Sequence, residues 1–218
     1  MSQKRGQVRS IQVKICGITN LGDALDAIEC GADALGFNLY PRSPRYIDID
    51  EAGDWIATLP SSVRKVAVLV DPTIDQAVTI AHLPFIDSLQ LHGNESLELC
   101  SELAHLGVSF TKALPMRDET SLRQPTGYST DSILLDSGTT AGFGGSGQTF
   151  PWSLARQFIE ANPEFRVILA GGLTAQNVAE AIAIVDPAGV DVTSGVEASS
   201  GRKDRAQLRA FISAVRGA

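Results

Sequence analysis

Eight apolar, strand-like runs alternate with amphipathic helical segments along 218 residues, which predicts an α/β fold closed as a single-domain (β/α)8 barrel. Three observations carry that expectation. The apolar runs are short and rich in β-branched residues, as strands buried on both faces require. The segments between them repeat apolar residues at i, i+3, i+4 and i+7. No linker-like shift in composition interrupts the alternation, so residues 1–218 read as one domain. An open, doubly wound parallel sheet is the competing architecture.

The first strand is read in IQVKI (11–15). A helix on Leu21, Ala24, Leu25 and Ile28 follows, with Asn20 as N-cap and Gly31 as C-cap. ADALGF (32–37) precedes a helix on Ala52, Trp55, Ile56 and Leu59. VRKVAVLV (63–70) leads to Ile74, Ala77, Val78 and Ala81. IDSLQL (86–91) leads to a helix over 95–106, with Leu99, Leu103 and Leu106 on one side. VSFTKA (108–113) is followed by the weakest helix, 116–125, which is short and charged. After DSILL (131–135) comes a long loop, then a helix with Pro151 as its first residue. FRVILA (165–170) leads, past Thr174 as the expected N-cap, to Val178, Ala181, Ile182 and Val185. AGVDVT (188–193) leads to the last helix, on Leu208, Phe211, Ile212 and Val215.

Composition narrows the function classes. A net charge of -7 is the wrong sign for a nucleic-acid footprint but leaves room for a local basic pocket. No apolar run approaches the roughly 18 residues of a membrane span. The first ten residues, MSQKRGQVRS, are polar and basic with no apolar core behind them, unlike a secretory signal. Cys16, Cys30 and Cys100 are odd in number and far apart, with no C-x-x-C. Neither a disulfide framework nor a zinc site is expected, and a reducing cytoplasmic compartment is. No His/Asp/Glu cluster has metal spacing, so no metal is expected.

A barrel places its chemistry at the C-terminal ends of the strands. Cys16 ends the first strand. Alternation puts Lys14 and Cys16 on one face, opposite Val13 and Ile15. If that face is the interior, an ammonium beside the thiol is expected to lower a pKa that starts near ~8.5. A cysteine so placed serves as base or nucleophile. Asp136 ends strand six; with Pro151 far downstream, capping explains it poorly and a catalytic carboxyl explains it better. Asp191 lies inside the last strand and needs a partner. Lys14 on the neighbouring first strand is one candidate, a substrate hydroxyl the other. Arg45, in YPRSPRYI after strand two, is either a solvated arginine or a planar fork for a carboxylate. His92, in LQLHGNE, reads as a hydrogen-bonded rim residue. Gly171-Gly172 and Ser194-Gly195 follow strands seven and eight, where backbone amides of such turns hold a phosphate in many barrels.

These segments together resemble the phosphoribosylanthranilate isomerase family. The motifs are KICGITN (14–20), SPRYI (43–47), LQLHGNE (89–95), LLDSG with GGSGQTF (134–150), LAGGLTAQNVAEAI (169–182) and VDVTSGVEASSGRKD (190–204), in the family's order across the whole chain. The resemblance implies a barrel of the ribulose-phosphate-binding type and a cofactor-independent isomerase of tryptophan biosynthesis. It implies Cys16 as general base and Asp136 as general acid. It also implies Arg45 at the substrate carboxylate, Asp191 near the reacting sugar, and Gly171, Gly172, Ser194 and Gly195 around the phosphate. The expected partner is a small phosphorylated molecule, not a nucleic acid or a membrane, and the expected state is a monomer or weak homodimer. Two positions depart from the family: Thr193 stands where serine is common, and Asn38-Leu39-Tyr40 lacks the aromatic common before the tyrosine.

The competing functions are a related barrel isomerase such as aminoimidazole carboxamide ribotide isomerase, a sugar-phosphate binder without catalysis, and an NAD-binding protein. Cys16 speaks against the first, since such enzymes pair aspartates, and Cys16 with Asp136 speaks against the second. AGFGGSGQTF (141–150) matches G-x-G-x-x-G and nearly a P-loop. However, five residues separate Asp136 from its first glycine, the next strand ends in no acid, and Gln148 stands where a P-loop has lysine. A glycine-rich lid over the site is the remaining expectation for loop 137–150.

Overall fold

The computed structural model describes residues 11–124, 126–138 and 149–218. Eight parallel strands close in chain order: β1 (Gln12–Cys16), β2 (Ala34–Asn38), β3 (Arg64–Leu69), β4 (Ser88–Leu91), β5 (Phe110–Pro115), β6 (Ser132–Asp136), β7 (Arg166–Leu169) and β8 (Gly189–Val192). β8 pairs back onto β1 with Lys14 opposite Asp191. The open sheet is therefore excluded.

Seven helices are described around the strands: α1 (Leu21–Cys30), α2 (Ile49–Ala57), α3 (Ile74–Ala81), α4 (Leu97–His105), α5 (Trp152–Ala161), α6 (Val178–Val185) and α7 (Arg205–Arg216). Their ends follow local chemistry. Asn20 Oδ1 accepts the Asp23 N–H at 2.9 Å, and Gly31 takes a left-handed φ of 102° to end α1. Thr73 and Gln76 form a capping box at α3.

Four expectations need correction. Residues 116–124 hold a 3-10 turn, Glu119–Arg123, in place of a helix: Met116 and Leu122 pack on the core, but two apolar side chains six positions apart do not make a helical face. Pro151 is the residue before α5, not its first. Thr174 opens a turn rather than a helix: its N–H is taken by Asn177 Oδ1 at 2.8 Å, and α6 starts at Val178. A hairpin, β9 (Glu197–Ser199) with β10 (Arg202–Lys203), stands between β8 and α7 and has no counterpart in the strand–helix reading.

Alternation along the strands sorts the core into two layers. Val13, Ile15, Leu35, Phe37, Leu89, Leu91 and Leu135 face outward, in one apolar cluster with Phe158 of α5 and Phe211 of α7. Each such side chain contributes roughly 1.5–3 kcal/mol on full burial. A small second cluster, Ala113, Leu134 and Ala170, faces the lumen. The same alternation sends Lys14, Cys16, Gln90, Asp136 and Asp191 inward, all buried. No helix among the described residues is long and apolar enough to cross a membrane.

Candidate active site

The C-terminal ends of the strands open into a cavity of about 470 Å³, a usual size for a small-molecule site. Cys16, Asn38, His92, Asp136 and Asp191 line it, and Gly171, Gly172 and Ser194 form one wall with their neighbours. Most of the expected site residues thus meet in one place, but Gly195 does not border the cavity. Arg45 also borders this cavity.

Cys16 is 7% exposed. Its registry partner on β2 is Gly36, and a Cβ there would fall 2.8 Å from Cys16 Sγ and 3.0 Å from Lys14 Nζ. Glycine in β2 thus makes the room that two inward side chains of β1 occupy. Burial pushes the thiol pKa up. Lys14 and Lys203 pull it down and Asp191 adds to the rise; the net direction is up. The expected lowering is overturned: the ammonium is there, but burial outweighs it and its charge is shared with Asp191.

Lys14 Nζ donates to Asp191 Oδ1 at 2.9 Å, both side chains being buried. Barrel closure makes this pair, as the order of strands implied. Burial lowers the Lys14 pKa, yet Asp191 and Cys16 outweigh it and hold the ammonium charged.

Asp136 ends β6 with its carboxyl buried. Burial pushes the pKa up, but the hydrogen bond and charge of His92, with the Ser137 amide and hydroxyl, bring the net direction down. His92 Nε2 lies 3.3 Å from Asp136 Oδ2, and Ser137 N–H donates to Oδ1 at 2.8 Å. Gln90 Nε2 lies 2.8 Å from His92 Nδ1. Gln90 and Asp136 thus hold the His92 ring from its two nitrogens. Burial therefore favours a thiol at Cys16, and His92 with Ser137 favours a carboxylate at Asp136.

Arg45 does not stand free. Nε donates to Glu197 Oε1 at 2.8 Å and Nη2 to Oε2 at 2.7 Å, a bidentate pair. The hydrogen bond to Glu197 raises the Arg45 pKa against the effect of burial. Burial raises the Glu197 carboxyl, but Arg45 and Lys203 outweigh it and hold the pKa down.

Gly171 and Gly172 have φ of 83° and 62°, which favours glycine. A Cβ at Gly171 would fall 2.6 Å from the Ser137 nitrogen, so this turn packs directly on the β6 end. Gly195 is set behind the wall: a Cβ there would collide with the Leu173 carbonyl oxygen. Its role is to let the turn after β8 pack on the turn after β7. Residues 139–148, which hold most of the expected lid, lie outside the described residues.

Gly36, Glu197, Lys203 and Gln90 were not singled out as site residues from sequence. A glycine inside a strand marks a close approach and was a usable signal for Gly36. Glu197 and Lys203 stood inside a quoted motif, but their chemistry depends on a hairpin that strand–helix periodicity does not reveal.

A profile of the N-(5'phosphoribosyl)anthranilate (PRA) isomerase family matches residues 13–214. The N-(5'-phosphoribosyl)anthranilate isomerase of Pelobacter propionicus is 43% identical over 202 residues, 93% of this chain and 94% of that protein. The crystal structure of phosphoribosyl anthranilate isomerase from Thermotoga maritima superposes with a TM-score of 0.86 at 41% identity, covering 95% of this chain and all of that one. A phosphoribosyl anthranilate isomerase in complex with reduced 1-(o-carboxyphenylamino)-1-deoxyribulose 5-phosphate superposes at TM-score 0.82 and 38% identity, over 95% of this chain and 100% of that one.

Proposed function

The chain belongs to the N-(5'-phosphoribosyl)anthranilate isomerase family, and on that premise we propose which of its side chains carry the reaction. The reaction is the Amadori rearrangement of N-(5'-phosphoribosyl)anthranilate to 1-(2-carboxyphenylamino)-1-deoxyribulose 5-phosphate in tryptophan biosynthesis. One observation carries the assignment of roles: a buried thiol on β1 and a buried carboxyl on β6 line the same cavity mouth.

Asp136 is the general acid. It delivers a proton to the furanose ring oxygen as the bond from that oxygen to C1' breaks, leaving an iminium. Cys16 is the general base and removes the C2' proton that the iminium has made labile. The enolamine then tautomerises to the ketone. The substrate's own nitrogen is the electron sink, so the chemistry calls for no organic cofactor. Both groups must first exchange states, since their protein surroundings favour thiol and carboxylate. Substrate that displaces water adds to the burial already acting on Asp136 and so favours its protonation; the same burial works against the Cys16 thiolate, which Lys14 and Lys203 support.

Arg45 takes the anthranilate carboxylate on its Nη1–Nη2 edge, Glu197 occupying the other. Asp191 faces the ribose while Lys14 holds it. Gly171, Gly172 and Ser194 hold the phosphate with backbone amides and a hydroxyl, and Gly195 shapes that turn from behind. The eight strands close into one barrel with one cavity at its mouth, which supports a single catalytic domain; a monomer or weak homodimer is the proposed state. Cys16, Cys30 and Cys100 are free thiols, which supports a cytoplasmic location.

Purified protein should consume the fluorescent substrate. Asp136→Ala should lose about 10²-fold or more in kcat with a smaller change in KM. Near-full kcat in that variant would remove Asp136 from the role of acid.

A further inference from the structure

The hairpin after β8 carries a cation that the steps above do not use. Lys203, on β10, turns its ammonium into the seam where β8 meets β1, and its side chain is 1% exposed. Nζ donates to the Cys16 carbonyl at 2.6 Å, to the Thr193 carbonyl at 3.1 Å and to Glu197 Oε1 at 3.0 Å. An ammonium has three donors, and these three acceptors fill them. Each acceptor belongs to a different part of the site. Cys16 carries the thiol, Thr193 leads into Ser194 on the phosphate wall, and Glu197 clamps the guanidinium of Arg45. The hairpin is itself tied down. The Lys203 N–H donates to Asp23 Oδ2 at 2.8 Å, and Thr19 Oγ1 donates to the Gly201 carbonyl at 2.6 Å.

Burying an ammonium is costly unless its hydrogen bonds and a counter-charge return that cost. Here burial pulls the Lys203 pKa down further than Glu197 lifts it. A hairpin that needed only anchoring is served by neutral donors. A charged one brings a field to bear on its neighbours as well.

We infer that Lys203 is a positioning residue for the isomerisation: one ammonium fixes the backbone of Cys16, the entry to the phosphate turn and, through Glu197, the arginine at the carboxylate subsite. The inference rests on the reading of Cys16 as the base. Its charge acts on the thiol too. The charged groups around that thiol are Lys14 and Asp191 from β1 and β8, Arg45 from the loop after β2, and Lys203 from β10; Lys203 opposes ionisation loss.

The test compares Lys203→Met and Glu197→Gln with the unaltered protein, reading kcat, KM, and the pH dependence of iodoacetamide alkylation at Cys16 by peptide mass spectrometry. Lys203→Met keeps the length and removes charge and donors. It should lower kcat about 10-fold or more, raise KM, and move the alkylation midpoint to higher pH. Glu197→Gln leaves the two cations uncompensated and should move that midpoint to lower pH. A Lys203→Met protein that loses thermal stability but keeps the kcat, KM and alkylation profile of the unaltered protein overturns the inference. Should that variant not fold, an unmoved alkylation midpoint in Glu197→Gln overturns it. Alkylation reads the thiol whether or not Cys16 is the base, so a fully active Cys16→Ala protein would refute the base assignment separately.

Discussion

Gly36→Ala is the smallest change that tests the geometry around Cys16. The added Cβ would fall 2.8 Å from Cys16 Sγ and 3.0 Å from Lys14 Nζ. The long lysine side chain can shift by a few tenths of an ångström while keeping its bond to Asp191, whereas the sulfur is one bond from its own Cβ and has less freedom. To restore an ordinary contact of roughly 3.5 Å, the sulfur must give way by roughly 0.7 Å. A misplacement of about 1 Å at a reacting group can cost about 10²-fold, so a loss of about 10-fold in kcat is expected. Overpacking of this kind costs about 1–3 kcal/mol of stability. The three atoms nearest the added Cβ belong to Cys16 and Lys14, not to Arg45 or the Gly171–Gly172 turn, so KM should stay within about 2-fold. Steady-state kinetics with a thermal melt separates the two effects. A variant with unaltered kcat and an unshifted melting point would show that the thiol does not fill the space opposite Gly36, and the base would have to be sought elsewhere.

Other outcomes follow from the same contacts. Arg45→Ala should raise KM roughly 10- to 100-fold, the loss of a charge-assisted hydrogen bond being about 1.5–3 kcal/mol; an unchanged KM would place the substrate carboxylate elsewhere. Because turnover needs a Cys16 thiolate beside a protonated Asp136, the pair must carry one proton between them, so kcat/KM should stay level across neutral pH and fall with pH along a limb centred above ~8.5, the ordinary thiol value; a falling limb centred below it would contradict the burial argument. The Asp136 carboxyl is held down in the folded protein, so its contribution to stability is present above the unfolded value of about 3.9 and is lost as pH falls through the lower folded value. Asp136→Asn should therefore flatten part of the acid limb in a denaturation series, and an identical limb would refute the shift. Lys112 and Glu95 form a buried pair at 2.7 Å, with exposures of 2% and 0%. Removing the cation alone leaves a buried carboxylate, so Lys112→Ala should cost about 3–5 kcal/mol in denaturant titration; a cost below 1 kcal/mol, at about the level of a surface pair, would contradict that account.

Much of the fold was legible because it is periodic. Leu89 and Leu91, or Ile133 and Leu135, mark buried strands by alternation, and Leu208, Phe211, Ile212 and Val215 mark a helix by spacing. Strand ends then located Cys16 and Asp136, and a carboxylate inside the last strand marked Asp191, without any coordinates. Three things were not legible in that way. The direction of the Cys16 shift depends on how fully the thiol is buried, and neighbouring residue types do not fix that. The hairpin of Glu197 and Lys203 has strands of three residues and two, too short for a pattern to register. The Glu197 clamp on Arg45 joins residues 152 positions apart, and only closure of the barrel brings them together.

The most direct test of the account is the kcat of Cys16→Ala beside that of the unaltered protein, both assayed by loss of N-(5'-phosphoribosyl)anthranilate fluorescence with no cofactor added and a metal chelator present. The account predicts turnover by the unaltered protein and a loss on the order of 10²-fold or more in the variant, with KM nearly unchanged. A Cys16→Ala protein that turns over at the unaltered rate would contradict the split of acid and base across the barrel mouth.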